Sequence, residues 1–270
     1  MSRLTEEALR SLARARSPEA IGAALELLPD GDPRARLGLL DRYASLAADH
    51  RRRDPGSLLR TALIRGLRDR AQPADIPLLE AALQTYEHVP PNEVAGPLRG
   101  AALLTLAVLD GRLAGYHAVR LLVDRHTATV SGEPAATAAR FLGSAGQTMV
   151  LYQAVLLPAQ HPAVAAACLA GLAGMPASLL AALARERWRA LQGEPLLALV
   201  DLLLEHPESE LTSGPLVEIV EESDDLDLVR YAAAAVVAGR KPPLIEALRA
   251  GGVLPGVRGE LVREALTLLP

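Results

Sequence analysis

The chain has 270 residues, of which 50% are hydrophobic and only 3% aromatic, and its formal net charge is −4. Ala and Leu, both strong helix formers, dominate the hydrophobic residues, whereas strands favour β-branched and aromatic residues, so the composition predicts helices and excludes a large sheet. Chains that bind chiefly to nucleic acid usually carry a basic excess, so this charge argues against that partner. The single cysteine, Cys168, excludes an internal disulfide and a cysteine-rich metal site.

The first 54 residues predict an irregular group of three helices over about 4–15, 18–28 and 34–49, whose pairing the sequence leaves open. The opening Met1-Ser-Arg-Leu-Thr-Glu-Glu is typical of an amphipathic helix start with early acids. It lacks the apolar core of a signal peptide, so we expect a cytoplasmic location.

Two helix pairs are predicted next. Pro55–Arg70 pairs with Asp75–Glu87, and Asn92–Asp110 pairs with Leu113–Arg125. Pro90-Pro91 stands before the second pair and separates it from the first.

A 13-residue pattern then recurs along the chain. Each copy opens with Pro or Asp, carries Ala at its sixth position and closes with Gly, at Pro134–Gly146, Pro162–Gly174 and Asp227–Gly239. A fourth copy starts at Pro195 and has Pro207 in place of the Gly. Pro suits the first turn of a helix, and Gly suits the left-handed residue that ends one.

A second helix is predicted after each copy, because apolar residues recur there at three- and four-residue spacing. These second helices are predicted at Gln147–Leu157, Ser178–Leu191, Pro215–Glu222 and Pro243–Arg249, and a last helix at Val257–Leu268. The recurring unit is therefore a pair of helices, which is the signature of a repeat architecture.

Several helices carry a Val/Leu-Arg-x-x-Ala-like core, in which Arg60, Arg99, Arg230 and, in part, Arg258 follow an apolar residue and Ala stands two positions after each of the first three. This pattern resembles the HEAT-repeat family over residues 55–268, although the middle repeats lack the Arg. The resemblance implies an all-α fold in which about seven helical pairs form a right-handed α–α superhelix, an α-solenoid, within one domain over residues 1–270. It also implies a non-catalytic scaffold, and we expect its partner to be a protein or peptide.

No motif of catalysis, cofactor binding or metal binding was found. The chain has no phosphate-binding loop, no nucleophile elbow and no histidine spacing for zinc, so we expect no catalytic, cofactor-binding or metal residues. Two enzyme families built from HEAT-like repeats provide alternatives to a non-catalytic scaffold. The chain is similar in architecture to the alkylpurine DNA glycosylases, which leaves a nucleic-acid-binding protein as the second reading, and phycobilin lyases are another such family.

Three charged segments are the candidate binding residues. Arg51-Arg52-Arg53 stands at a helix end, where it is either solvated or a binding patch. In the second segment, Arg185, Arg187, Trp188 and Arg189 could grip a phosphate backbone or an acidic peptide, unless Trp188 enters the core and the arginines reach water. The third is an acidic run that either caps a helix or binds a cation, at Glu218, Glu221, Glu222, Asp224, Asp225 and Asp227.

Residues 141–184 contain no Asp, Glu, Lys or Arg. Ala163–Ala184 is long enough to cross a bilayer, but it consists mostly of Ala and Gly and contains Pro176, so we expect buried helices and no membrane contact. A contiguous, weakly apolar surface usually marks an interaction site. The sequence therefore suggests a homodimer through residues 141–184, and the alternative is that Ala is too weakly hydrophobic to need covering.

Overall fold

A computed structural model describes residues 3–28, 32–157, 161–251 and 256–269. Seventeen α-helices and two short strands make up most of that part of the chain, so the predicted all-α fold is confirmed. The helices are α1 (Arg3–Arg14), α2 (Pro18–Glu26), α3 (Pro33–Ala47), α4 (His50–Arg53), α5 (Leu58–Leu67), α6 (Ile76–Leu83), α7 (Gly96–Leu109), α8 (Gly111–Leu122), α9 (Ala135–Ser144), α10 (Thr148–Leu156), α11 (Pro162–Ala170), α12 (Ala177–Arg187), α13 (Glu194–Glu205), α14 (Ser209–Glu222), α15 (Leu226–Gly239), α16 (Pro242–Gly251) and α17 (Val257–Leu266). The strands are β1 (His88–Val89) and β2 (Asn92–Glu93).

The chain divides into two compact units, Met1–Phe141 and Leu142–Pro270. In the first unit α1, α3, α5 and α7 pack side by side in that order, and α2, α6 and α8 each pack against members of this row. This packing shows how the first three helices pair, which the sequence left open. Helix α1 contacts both α2 and α3, and α2 and α3 both contact α5.

The second unit repeats this arrangement. One row contains α11, α13, α15 and α17, and a second row contains α12, α14 and α16. Each row buries Leu, Val and Ala against the other, as Leu199, Val200 and Leu203 of α13 illustrate. The prediction of one continuous repeat domain stays a prediction.

Helix starts follow the capping chemistry expected of their sequences. Ser17 Oγ accepts a hydrogen bond from the Ala20 amide in front of α2, and Asp225 Oδ1 accepts from the amides of Asp227 and Leu228 at the start of α15. A capping acceptor satisfies amides that have no partner within the helix.

Helix ends differ from the prediction at two of three glycines. Gly146 has φ +69°, so the left-handed residue predicted there is confirmed. Gly174 is not left-handed, and after α15 the left-handed residue is Arg240, at φ +49°, instead of Gly239.

Two other boundaries also differ from the prediction. Residues predicted to begin a helix at Asn92 form β2 instead, paired antiparallel with β1, and α6 correspondingly ends at Leu83. Helix α14 begins at Ser209 and runs through Pro215, which was expected to start it. Thr212 Oγ1 bonds to the carbonyl oxygens of Leu203 and Ser209, which ties this early turn to α13.

A close contact between helix ends lies within the uncharged region. A Cβ placed on Gly171 would lie 2.3 Å from Leu151 Cδ1 and 3.0 Å from Gly143 Cα. The ends of α9 and α11 therefore meet backbone to backbone, which only glycine permits. Cys168 in α11 is fully buried, as expected, and burial raises the pKa of its thiol to about 12. No helix among the described residues is both long and apolar enough to cross a bilayer.

Candidate functional site

The Arg185–Arg189 segment is largely occupied by contacts within the second unit. Trp188 is 6% exposed, and its Nε1 donates to Glu218 Oε1 at 3.1 Å. Arg189 lies over the Trp188 ring, with its guanidinium carbon 4.5 Å from the ring centroid, and forms ion pairs with Glu218 and Glu222. Arg185 is exposed and Arg187 is half-buried. The indole is therefore in the core, and two carboxylates neutralise the arginine beside it.

Most of the acidic run likewise serves structural contacts. Glu218 and Glu222 hold Arg189, Asp224 Oδ1 accepts from Arg258 at 2.8 Å, and Asp225 caps α15. The hydrogen bond from Trp188 and the charge of Arg189 lower the pKa of Glu218. Within the described ranges, no group of three or more His, Cys, Asp or Glu is placed to hold a metal ion.

Two buried arginines of the repeat motif, whose partners the sequence did not indicate, build a different feature in the first unit. Arg60 of α5 is 2% exposed. Its Nε donates to Asp54 Oδ2 at 2.9 Å, while Nη1 and Nη2 donate to the two carboxylate oxygens of Glu87 at 2.6 and 2.7 Å. Both oxygens of Glu87 are therefore held by one guanidinium, a geometry that lysine could not provide.

Arg99 of α7 repeats the arrangement one helix pair later. It is fully buried, and its Nη2 lies 2.9 Å from Glu93 Oε2 and 3.2 Å from Asp124 Oδ2. Its Nη1 donates to the carbonyl oxygen of Thr85 at 2.8 Å, and its guanidinium carbon lies 4.2 Å from the centre of the Tyr86 ring. Burial raises the pKa of Tyr86, and the nearby carboxylate of Asp124 raises it further.

These two arginines anchor the segment between α6 and α7, residues 86–94, which we call the hairpin segment. It contains β1 and β2, joined through Pro90 and Pro91. Glu87 near its start is bound by Arg60, and Glu93 near its end is bound by Arg99. Glu93 Oε1 also accepts from the backbone amides of Glu87 and Ala95, which closes the base of the hairpin. The hairpin segment is therefore held at both ends by buried charge pairs.

Three of the six histidines gather around the hairpin segment. The ring of His126 makes edge contacts with Tyr86, at 5.3 Å between centroids, and with His88, at 5.5 Å. His50 lies on the other side, with its Nε2 3.9 Å from Glu87 Oε1. The spacing of the histidines in the sequence gives no sign of a zinc site, and it does not indicate that these three share one edge.

A recess lies on each side of the hairpin segment. One, of about 500 Å³, lies between Val89 and Pro90 and the residues His50, Arg51 and Pro55. The other, of about 320 Å³, lies between the second strand and the loop that carries His126 and Val130. His88 borders both recesses. We call the hairpin segment with these two recesses the hairpin site.

At the hairpin site the carboxylates are bound inside the protein, whereas several arginines are exposed at the surface. The carboxylates, at Glu87 and Glu93, are bound internally by arginine. Neither Arg51 nor Arg125, both exposed, forms an ion pair or a side-chain hydrogen bond with any residue that the structure describes. Arg53 donates to Ser45 Oγ at 2.9 Å. The exposed cations here, Arg51 and Arg125, are therefore not neutralised by the two carboxylates, and the imidazoles of His50, His88 and His126 lie close to the same hairpin.

A larger cleft, of about 730 Å³, lies over α7 in the same unit. Its charged residues are of both signs, with Arg65, Arg68 and Asp69 on one side and Glu133 on the other. Glu133 is already paired with Arg140 at 2.8 Å. This cleft therefore presents charges of both signs to a ligand.

Comparison of the chain with protein-family models, with curated proteins and with solved structures finds no match.

Proposed function

We propose that this protein is a non-catalytic helical-repeat scaffold whose first unit binds an acidic segment of a protein partner at the hairpin site. One observation carries the proposal: the hairpin segment is anchored by two buried arginines, while the recess beside it is bordered by His88 and by His50 and Arg51 of α4, and Arg51 has no ion-pair partner among the described residues. Binding residues are commonly placed on loops that a rigid scaffold positions.

The surroundings favour a protein segment over a small molecule. The two recesses are separated by a protruding hairpin, so a single compact ligand could not fill both, whereas an extended chain could cross the hairpin. Val89 and Val130 are 47% and 93% exposed, and they offer apolar contacts beside the cationic groups. Charge attraction would guide the partner, and these apolar contacts would hold it.

The HEAT-like architecture is part of the proposal. Alternate helices pack into two rows in the second unit and into one row in the first, which supports a right-handed α-solenoid of about seven pairs, because stacked repeats bury their faces in this way. The Arg of the repeat motif gains a physical role from Arg60 and Arg99, which tie each repeat to the loops beside it.

A peptide-display experiment tests the binding proposal. Random peptides selected on the purified full chain should be enriched in Asp and Glu, and binding should weaken as salt rises because exposed charges are screened. A chain with Arg51→Ser and His88→Ser should lose these peptides, whereas Arg185→Ser, an exposed arginine of the second unit, should retain them. Peptides without acidic enrichment, or equal loss in both variants, would reject the hairpin site.

Nucleic acid, the alternative partner, is a second arm of the same experiment. Duplex DNA and heparin should bind weakly and release at moderate salt, because few cations are available to neutralise phosphates. Tight binding of duplex DNA at physiological salt that depends on Arg185, Arg187 and Arg189 would support the alternative instead.

We also propose a homodimer through residues 141–184, formed by apolar side chains outside helix α11. Helix α11 is mostly buried, so its alanines offer little outward surface. The exposed apolar side chains of the second unit's part of this region are Met149, at 85%, Leu156 and Leu157 at the end of α10, and Leu179 of α12. Sedimentation of Met149→Glu and Leu179→Glu against wild type tests this, and an unchanged monomer at tens of micromolar would remove it.

A further inference from the structure

Helix α8 exposes an apolar row that no other described element covers. Tyr116 is 68% exposed, Val119 41% and Val123, just beyond the helix end, 65%. Steps of three and four residues place these side chains on one face of a helix. The opposite face, with Ala114 and Leu121, is fully buried, so the exposed row adds nothing to the core of the first unit.

The charges on this helix have one sign. The exposed charged residues of α8 are Arg112 and Arg120, and its sequence, GRLAGYHAVRLL, contains no acidic residue. Arg112 and Tyr116 are four residues apart, as are Tyr116 and Arg120, so both arginines border the apolar row. His117, at the side of this face, is held by Glu80 of α6, with 3.2 Å between Nε2 and Oε1.

The composition of this face is that of a binding surface. Tyr and Arg are enriched at the centres of protein interfaces, and single exposed apolar residues need no explanation, whereas a contiguous group calls for one. None of these exposed residues borders the recesses of the hairpin site. The α8 face is therefore a separate surface, and its function does not depend on the one proposed for the hairpin.

We propose that the α8 face binds an acidic amphipathic helix of a partner protein. Leu, Ile or Phe residues of that helix, spaced three and four apart, pack between Tyr116, Val119 and Val123. Its Asp and Glu residues flank this stripe and pair with Arg112 and Arg120. Helices recognise apolar surfaces in this way, through anchors at i, i+3, i+4 and i+7.

Three labelled synthetic peptides of one length test the proposal. The first places Leu at three- and four-residue spacing among Glu and Ala; the second has the same composition with the leucines dispersed; the third replaces each Glu by Lys. Fluorescence anisotropy with the full chain should show the first peptide binding at least about tenfold more tightly than either control, a margin expected when both the apolar stripe and the charges contribute. Equal binding of the first two peptides would overturn the proposal.

Variants of the protein then locate the contact. Tyr116→Ser with Val123→Ser should weaken the first peptide by about tenfold or more, and Arg112→Ser should weaken it less and reduce its salt dependence. Val108→Ser, on α7, is the matched control, because Val108 is 58% exposed and lies off this face. Circular dichroism should show the same helix content for all variants.

The outcome is separable from that of the hairpin site. Arg51→Ser with His88→Ser should leave binding of the first peptide unchanged. If those changes abolish it while Tyr116→Ser with Val123→Ser does not, the α8 proposal fails and the hairpin proposal stands. Binding of duplex DNA in preference to the first peptide, with loss on Arg112→Ser, would also overturn the α8 proposal.

Discussion

Replacing Arg99 by Met should destabilise the first unit strongly. Met has a similar length and no charge, so the change keeps most of the packing and removes the guanidinium. Glu93 and Asp124, whose side chains are 5% and 4% exposed, would then face each other without a cation. The carbonyl oxygen of Thr85 would lose its donor at 2.8 Å, and the ring of Tyr86 would lose its cationic neighbour.

The size of the effect follows from burial. Removing one partner of a buried charge pair costs about 3 to 5 kcal/mol, because the remaining charge stays out of water without compensation. Arg189→Met is the matched control: its side chain is 54% exposed and pairs with Glu218 and Glu222, which are 27% and 51% exposed. Exposed pairs of this kind contribute about 0 to 1 kcal/mol. The two substitutions therefore differ by several kcal/mol, although each removes an arginine that pairs with two carboxylates.

Urea unfolding measures the difference. Far-UV circular dichroism follows helices of both units, and fluorescence of Trp188, the single tryptophan, follows the second unit. Arg99→Met should lower the midpoint of the circular dichroism transition far more than Arg189→Met does. Arg99→Lys should fall between wild type and Met, because lysine restores the charge without the planar fork. A loss below about 1 kcal/mol for Arg99→Met would refute the role of the buried pairs in anchoring the hairpin segment.

Three further predictions concern packing, reactivity and pH. Gly171→Ala should cost about 1 to 3 kcal/mol by thermal unfolding, because its Cβ would overlap a leucine methyl of α10, whereas Gly115→Ala, within α8 and with open space, should be neutral or stabilising. Cys168 should react slowly with thiol reagents until urea unfolds the chain, because burial raises the pKa of its thiol to about 12; immediate labelling of folded protein would contradict its burial. Burial raises the pKa of Glu93, but hydrogen bonds from Arg99 and two backbone amides lower it more, so the net pKa lies below its ordinary value. Glu93 should therefore stabilise the fold fully at pH values above its ordinary pKa, and this stabilisation should be lost as the pH falls through the lowered pKa. Arg99→Met should reduce this acid-dependent loss of stability.

Local signals in the sequence were sufficient to predict where most of the helices lie. Pro at helix starts, the Ala-rich centre of each copy and apolar spacing of three and four predicted elements within a few residues of their observed bounds, as with Pro162–Ala170. Burial of Cys168 follows from its apolar sequence neighbours, whereas the core position of Trp188, which stands between two arginines, was only one of two alternatives. These features depend on residues within one or two helical turns, which periodicity detects.

The hairpin site could not be predicted in this way, because its contacts join distant residues. Glu87 lies 27 residues after Arg60, and Thr85 lies 14 before Arg99. A weak local signal was present: an acid stands six residues before each of these arginines, at Asp54 and Glu93. The repeat motif marks both arginines but indicates no bonding partners for them, so Glu87 was predicted to end α6 and the second strand, from Asn92, to begin α7.

The close contact between the ends of α9 and α11 was also not predicted from local sequence signals. The glycines of the repeat were interpreted only as helix ends, whereas the small size of Gly171 is what lets α11 approach Gly143. A glycine that ends a helix and a glycine that admits a neighbour look alike in one sequence, because the difference lies in what packs against them.

Hydrogen exchange with a selected acidic peptide tests the central claim most directly. Amides of residues 86–94 and 126–130 should exchange more slowly in the complex than in the free protein, because the peptide would cover both recesses of the hairpin site. The same peptide should leave exchange in residues 185–189 unchanged. Protection confined to residues 185–189, or no protection of the hairpin segment at a saturating peptide concentration, would contradict the account.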